Sequence, residues 1–180
     1  MKITPLALPG LLLFEPAVFN DARGRFMETF RADFFEAQLG CRLVQENEST
    51  SVRGVIRGLH FQRGTAAQGK LVRVVAGEVL DVAVDLRRNS PTYGQHQIVL
   101  LSGETPQWLW IPHGFAHGFA VRSQRAVFQY KCDNYYDPAA EGGIRWNDPA
   151  LVIGWGIAAP LVSERDACLP LLSESNGLTL

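Results

Sequence analysis

The feature that most restricts the possible folds is a long β-like run over residues 70–87, KLVRVVAGEVLDVAVDLR. At positions 80–86, Leu and Val alternate with Asp81, Ala83 and Asp85. This period of two is typical of a strand with one buried face. The segment AGE, residues 76–78, predicts a tight turn that joins two strands. The run therefore predicts a β-hairpin.

Other short apolar runs, separated by Gly, Pro, Asn or Asp, extend this pattern along the chain: LLLFEPAVF, GVIRGLHF, HQIVLL, QWLWI and AVFQYK. One stretch, RADFFEAQLG, predicts a short peripheral helix with Asp33 as N-cap and Gly40 as its end. No strands alternate with helices, which argues against a Rossmann-type fold. We therefore expect a single all-β domain over residues 1–180, a β-sandwich or barrel, with the jelly roll as the commonest form at this strand spacing.

Composition excludes several classes of function. The chain has 180 residues and a formal net charge of −1, so no overall charge attracts it to nucleic acid or to an anionic membrane. Pro5, Pro9 and Gly10 interrupt the leucine-rich start, and no small-residue cleavage site follows, so we expect no signal peptide and no membrane span. The 3 cysteines are widely spaced without a CxxC pair, which predicts free thiols and a cytoplasmic protein.

Two polar residues stand out in the apolar run GVIRGLHFQ, namely Arg57 and His60. They are either a surface arginine with a hydrogen-bonded core histidine, or two groups that line a ligand cavity. Further along, IPHGFAHGF contains the P-x-G-x-x-H pattern of the second cupin motif, ending at His117. The first cupin motif would need H-x-H, but this chain has HFQ, and Glu78 alone does not complete a set of three or four metal ligands. We therefore expect no metal, and we interpret His117 as a neutral hydrogen-bonding group in a polar pocket.

Further candidates have a structural as well as a functional interpretation. Arg23, Arg57 and Lys70 each lie beside a glycine, and are either solvated charges or a shared site for an anion. Tyr130 shares a strand face with Phe128, so its phenol is either a core group bonded to backbone or an acid opposite a histidine. Asp166, in SERDA, is either an exposed turn residue or a carboxylate that orients an imidazole.

Eight segments, in order from about Phe14 to Asp166, together resemble the dTDP-4-dehydrorhamnose 3,5-epimerase family: DARGRFMETF, QENESTS, GVIRGLHFQ, QGKLVRVVAGEVLDVAVDLR, SPTYG, LWIPHGFAHGF, YKCDNYY and GIRWNDP. The resemblance implies a metal-free, cofactor-independent, cupin-like jelly roll that works as a homodimer. It also implies a dTDP-4-dehydro-6-deoxy-D-glucose substrate, which is inverted at C3 and C5.

The resemblance assigns roles to individual residues. His60 matches the general base, Asp166 its carboxylate partner, and Tyr130 the general acid. Lys70 matches the residue near the C4 oxygen. Positions that hold the substrate or its nucleotide, some of them across the dimer, are matched by Arg23, Glu28, Gln45, Asn47, Arg57, His117 and Glu141.

Three departures from the family pattern and three alternatives accompany this interpretation. His113 stands where the family often has an acidic residue, Arg165 stands where a lysine is common, and Gly156 stands where a proline usually follows the tryptophan. The nearest alternative is a relative that inverts only C3 or only C5, with the difference residing in how the sugar lies around Tyr130 and Tyr136. The others are a nucleotide-sugar-binding module without catalysis, and a metal-dependent cupin.

Overall fold

The computed structural model describes residues 1–175 and 177–178, and these are mostly β-structure. The strands are β1 (Lys2–Pro5), β2 (Leu12–Glu15), β3 (Phe19–Asp21), β4 (Gly24–Phe26), β5 (Gln45–Val52), β6 (Ile56–Gln62), β7 (Lys70–Ala76), β8 (Glu78–Asp85), β9 (His96–Ser102), β10 (Trp108–Ile111), β11 (Phe115–Val121), β12 (Arg125–Cys132) and β13 (Glu141–Gly143). The α-helices are α1 (Ala32–Leu39) and α2 (Glu164–Ala167), and three short 3₁₀ turns cover Gly64–Ala66, Pro138–Ala140 and Leu172–Glu174. No helix in this described part of the chain is long and apolar enough to span a membrane.

Two antiparallel sheets form the body of the molecule. The larger has the order β1-β2-β10-β7-β12-β5, and the smaller has the order β13-β6-β11-β8-β9. Strands β3 and β4 form a separate hairpin. This arrangement confirms the expected all-β, cupin-like jelly roll with short peripheral helices.

The apolar core lies between the two sheets, and each sheet also has a covered outer face. The inner cluster includes Val72 and Phe128 of the larger sheet and Phe119 of the smaller one. On the outer face of the larger sheet, Phe35 of α1 packs in a cluster with Phe14, Leu71, Trp108 and Trp110. Since both sheets are covered on both faces, their central strands can be apolar on both sides.

Strand β8 differs from its expected pattern. The turn at residues 76–78 joins β7 to β8 as predicted, with Gly77 in the left-handed region at φ 82°. The strand is not half-buried, however, because Asp81 and Asp85 are each 0% exposed. The prediction of one solvent-facing side was wrong, since the alternating aspartates point into the molecule and have partners there.

The helix α1 begins earlier than predicted. Arg31, with extended backbone angles, occupies the N-cap position, and Asp33 lies inside the first turn. The predicted cap was therefore wrong by two residues. Its predicted end is confirmed, because Gly40 adopts the left-handed conformation and its N–H donates to the carbonyl of Glu36.

Candidate active site

A cavity opens between the two sheets and consists of two adjoining recesses. One has a volume of about 330 Å³ and the other about 310 Å³. Both are lined by His60, Lys70 and Tyr130. The smaller sheet contributes His60 from β6, and the larger sheet contributes Lys70 from β7 and Tyr130 from β12. The two recesses therefore share a polar centre between opposite walls.

A β-bulge on β6 places Arg57 and His60 on the same side of the strand. Against β11, His60 pairs with His117, whereas Arg57 pairs with Phe119, so three steps along β6 match two along β11. Simple alternation would have directed these two side chains to opposite faces. Both line the cavity, while Leu59 packs in the apolar cluster on the other face.

Glycines make the bulge possible. Gly58 has φ 133°, and a Cβ there would lie 2.5 Å from the Cα of Gly118 on β11. A Cβ on Gly118 would lie 2.7 Å from the carbonyl oxygen of Arg57. The two backbones therefore approach more closely than any side chain permits.

His60 and Asp166 form a close pair on the cavity wall. The imidazole Nε2 of His60 lies 2.7 Å from Oδ1 of Asp166, which comes from α2. Because an ionised carboxylate can only accept, Nε2–H of His60 donates and Nδ1 carries the free lone pair. Oδ2 of Asp166 accepts from the backbone N–H of Gly58 at 3.1 Å. The pair thus has the tautomer that a histidine base requires.

The charge on Asp166 is stabilised where it lies. Burial alone would raise the pKa of Asp166, but hydrogen bonds with His60, the N–H of Gly58 and Ser163 lower it below the usual value. Asp166 therefore remains ionised throughout the physiological range. The alternative of an exposed turn aspartate does not apply, since the residue is 5% exposed.

Tyr130 and Lys70 lie together on the opposite wall. The ammonium nitrogen of Lys70 is 5.8 Å from the centroid of the Tyr130 ring. Burial raises the pKa of the Tyr130 phenol, with a smaller opposing effect of a hydrogen bond to Asn47. The phenol is therefore protonated at neutral pH and can donate a proton. Burial lowers the pKa of the Lys70 ammonium, and nearby negative groups oppose that effect.

A second histidine–aspartate pair lies in the wall beside the first. Nε2 of His117 is 2.9 Å from Oδ2 of Asp81, and the His117 ring stacks on Phe128 with centroids 6.0 Å apart. His117 lines the cavity, as the polar-pocket interpretation expected. Asp81 was missed as a candidate, because its alternation with apolar residues indicated a solvent-facing position.

Several further predicted residues line the cavity. Gln45 and Asn47 lie along β5, with the Gln45 amide 3.3 Å from the Asn47 oxygen. Glu141 accepts from the Tyr136 hydroxyl at 2.6 Å and pairs with Arg165. Although burial would raise the pKa of Glu141, the bonds from Tyr136 and Arg165 lower it. Tyr136 also lines the recess of about 330 Å³. From the sequence it was named only as a residue around which the sugar lies.

Arg57 lines the cavity, whereas the predicted residues of the N-terminal segment, Arg23 and Glu28, do not. Arg57 lines the recess of about 310 Å³, and its Nε donates to Oγ of Ser51 at 3.1 Å. In contrast, Arg23 is 90% exposed in the turn between β3 and β4 and pairs with Asp21. The side chain of Glu28 is 57% exposed, and neither Arg23 nor Glu28 lines the cavity of its own chain.

His113, one of the departures from the family pattern, is linked through Asp133 to the residue before Lys70. Its Nε2 is 2.8 Å from Oδ2 of Asp133, whose Oδ1 accepts from the N–H of Gly69 at 2.8 Å. This hydrogen bond raises the pKa of His113. The Asp133 carboxylate thus connects His113 to the residue that precedes Lys70. Within the described ranges, no group of three or more His, Cys, Asp or Glu side chains could hold a metal ion.

Comparison with known proteins gives a consistent result over almost the whole chain. The family model described as dTDP-4-dehydrorhamnose 3,5-epimerase matches residues 5–174. The enzyme of that name from Salmonella typhimurium is 51% identical over 178 residues, covering 97% of each chain. The dTDP-4-dehydrorhamnose 3-epimerase of Streptomyces niveus is 40% identical over 182 residues, covering 100% of this chain and 88% of that protein.

One solved structure shows a relative with a bound sugar nucleotide. It is the dTDP-6-deoxy-D-glucose-3,5-epimerase of Legionella pneumophila in complex with dTDP-4-keto-L-rhamnose. Its TM-score to this chain is 0.94 at 45% sequence identity, and the match covers 99% of this chain and 98% of the other.

Proposed function

The chain belongs to the dTDP-4-dehydrorhamnose 3,5-epimerase family, a family of isomerases, and from that membership we propose how its residues divide the work. The substrate is dTDP-4-dehydro-6-deoxy-D-glucose, and the product, inverted at C3 and C5, is dTDP-4-dehydro-L-rhamnose. The observation that carries the proposal is the position of the His60–Asp166 pair on one wall and Tyr130 on the other.

His60 acts as the general base. A proton on C3 or C5 is acidic because the C4 ketone beside it can take up the electron pair as an enolate. Nδ1 of His60 accepts that proton, while Nε2–H stays bonded to Asp166. As His60 becomes positively charged, the ionised carboxylate of Asp166 stabilises it. A positioned base typically contributes about 10²–10⁴-fold to the rate.

Tyr130 acts as the general acid on the other face of the sugar. Inversion requires that the new proton arrive opposite the face from which the first was removed. Tyr130 lies on the larger sheet and His60 on the smaller one, so the two side chains flank the cavity from opposite sides. The raised pKa of the phenol keeps its proton available for donation.

Lys70 stabilises the enolate. The C4 oxygen gains negative charge only as the proton leaves, so a cation beside it stabilises the transition state more than the ground state. Because the C4 ketone already makes the neighbouring C–H protons acidic, this proton transfer needs no transient oxidation of the sugar. Arg57, Gln45, Asn47, His117 and Glu141 line the remaining walls and hold the rest of the nucleotide sugar.

We also propose that the active form is a homodimer. The hairpin β3–β4 exposes Phe19 and Phe26 at 64% and 72%, which is unusual for large aromatic side chains on a monomer. Arg23 on the same hairpin does not line the cavity of its own chain and would reach the nucleotide bound by a second subunit. The whole chain would form a single domain. The free thiols of Cys41, Cys132 and Cys168 support a location in the reducing cytoplasm.

Complementation tests the dimer and the role of Arg23 together. Arg23→Ala and His60→Ala variants would each be impaired, but a mixed dimer contains one site with both native residues. Co-expressing the two should therefore restore activity. If the mixture is no more active than the sum of its parts, Arg23 does not act across the interface.

The reaction itself is tested by proton NMR of the substrate incubated with the protein in D₂O. Deuterium at both C3 and C5, with a downstream reductase yielding dTDP-L-rhamnose, is the expected outcome. Deuterium at only one carbon would support the single-site alternative. The higher identity to the 3,5-epimerase, 51% against 40% for the 3-epimerase, favours inversion at both carbons.

A further inference from the structure

Asp81 is a fully buried carboxylate, and only one of its two oxygens has a hydrogen-bond partner among the described residues. Its exposure is 0%, and Oδ2 is bonded to Nε2 of His117 at 2.9 Å. Oδ1 is also buried and has no hydrogen-bond partner among residues 1–175 and 177–178. An ionised carboxylate in such a place is stable only when a nearby cation compensates for the lost solvation.

Lys70 is the cation that meets this need. It lines the same recess as His117, the direct partner of Asp81. Burial lowers the pKa of the Lys70 ammonium, and the Asp81 carboxylate is one of the negative groups that oppose this effect. Arg57 also lines that recess, but it is an exposed residue whose charge is already stabilised by water, and its Nε donates to Ser51.

The other anionic candidates around Lys70 are less suited to balance its charge. Cys132 pairs with Lys70 in the strand register, but burial raises the pKa of its thiol to about 11, so it is neutral at pH 7. Glu141 is already paired with Arg165 and bonded to Tyr136. The titratable groups that share recesses with Lys70 or act on its charge are His60, Asp81, His117, Tyr130, Tyr136, Cys132, Glu141, Arg57, Arg165 and Asp166.

We propose that Asp81 is a positioning residue that holds His117 through Nε2 and supplies the permanent negative charge that balances the buried ammonium of Lys70. This inference rests on the proposed function, in which Lys70 stabilises the enolate. Without Asp81, Lys70 would lose its proton at a lower pH and the active site would lose its cation. Asp81 touches no reacting atom and acts through Lys70 and His117.

The direct test follows the protonation of Lys70 by NMR, independently of turnover. The chain has only three lysines, Lys2, Lys70 and Lys131, so the ¹³Cε signals of labelled lysine can be assigned by the loss of one in Lys70→Arg. Asp81→Asn keeps the side-chain shape and removes the charge. We expect the titration midpoint of Lys70 to fall measurably below its wild-type value, because a negative charge that favours the ammonium form is removed.

Matched variants make the result specific. Asp85→Asn removes another fully buried carboxylate from the same strand, β8, and should leave the Lys70 midpoint unchanged. The alkaline limb of the kcat profile should move with the Lys70 midpoint in Asp81→Asn. An unchanged Lys70 midpoint in Asp81→Asn would overturn the proposal, even if the wild-type protein is an active epimerase. If the wild type fails to exchange deuterium, the proposed function fails instead, and the NMR titration still reports on Asp81.

A reciprocal variant covers the case in which Asp81→Asn does not fold. Lys70→Met leaves Asp81 buried without its balancing cation, so the folded state of this variant would favour the protonated form of the Asp81 carboxyl. A group with a raised folded-state pKa of this kind favours folding at low pH, and that contribution is lost as pH rises. The free energy of unfolding of Lys70→Met should therefore decline relative to wild type as pH rises above about 4, the ordinary pKa of an aspartate, and parallel curves would contradict the pairing.

Discussion

Replacing Asp166 by asparagine should inactivate the proposed base without changing the shape of the site. Two groups are directed at this side chain: the N–H of Gly58, 3.1 Å from Oδ2, and Nε2 of His60, 2.7 Å from Oδ1. The backbone N–H can only donate, so the asparagine oxygen must face Gly58 and its NH₂ group must face His60. His60 would then accept at Nε2 and carry its proton on Nδ1. The nitrogen needed to accept the substrate proton would be blocked.

The expected loss is that of a positioned base. A factor of about 10²–10⁴ in kcat corresponds to about 2.7–5.4 kcal/mol of transition-state stabilisation. The loss should affect kcat more than the affinity for dTDP, because the carboxylate acts on His60 and not on the nucleotide. The double variant His60→Ala/Asp166→Asn should be no slower than His60→Ala alone, since the two residues act as one unit.

Deuterium incorporation at C3 and C5, followed by NMR at saturating substrate, measures this loss, and calorimetric titration with dTDP measures binding. Glu164→Gln is the matched control, since Glu164 is an exposed acid in the same helix, α2. It should exchange at the wild-type rate. An Asp166→Asn protein that keeps more than about a tenth of the wild-type exchange rate would refute the tautomer argument, because a mispositioned base cannot retain that much.

Three further outcomes are expected. Gly118→Ala should lower both stability and kcat, because its Cβ would lie 2.7 Å from the carbonyl oxygen of Arg57; thermal melting and turnover measure the two effects. Hydrogen bonds that outweigh burial lower the pKa of Asp85 to about 2. Asp85→Asn should therefore lower the free energy of unfolding, measured in urea at neutral pH, by about 2 kcal/mol. The wild type, but not the variant, should lose this contribution as pH falls from 4 to 2. The hydrogen bond to Asp133 raises the pKa of His113, whose side chain is 40% exposed. This bond should therefore add less than about 1 kcal/mol to the free energy of unfolding, a contribution present below pH 6.5 and lost above the raised pKa. Urea unfolding of wild type and His113→Gln at pH 5.5 and 9 measures the difference.

Local sequence patterns predicted the strands and much less of the site. Period-two runs and glycine turns identify β7, β8 and the turn between them, because these features depend on neighbours along the chain. The interpretation of Asp81 as solvent-facing was wrong for a tertiary reason. Alternation separates two faces of a strand but does not reveal that a second layer covers the polar face. An aspartate beside valines in a central strand is a useful signal only after the layers are known.

The pairing of His60 with Asp166 depends on contacts that sequence patterns do not encode. The two residues are 106 positions apart, and the pair forms because α2 docks on β6, where Gly58 binds the same carboxylate. Sequence alone left Asp166 open between a turn residue and a partner of histidine, and only family resemblance connected them. The bulge that turns Arg57 toward His60 was equally invisible, because it depends on Gly58 and Gly118 meeting across two strands.

The cavity of this β-sandwich therefore contains carboxylates that are each stabilised by a small set of hydrogen-bond donors. Asp166 is held by His60 and the Gly58 N–H, and Glu141 by Arg165 and Tyr136. A carboxylate withdrawn from water is costly alone, and the hydrogen-bond partners in each set offset that cost. Removing one residue of such a set should therefore affect the protonation of its partner more than it affects the fold. This is why the variants at Asp166 and Asp81 are best read by proton exchange and NMR titration, with stability as the secondary measure.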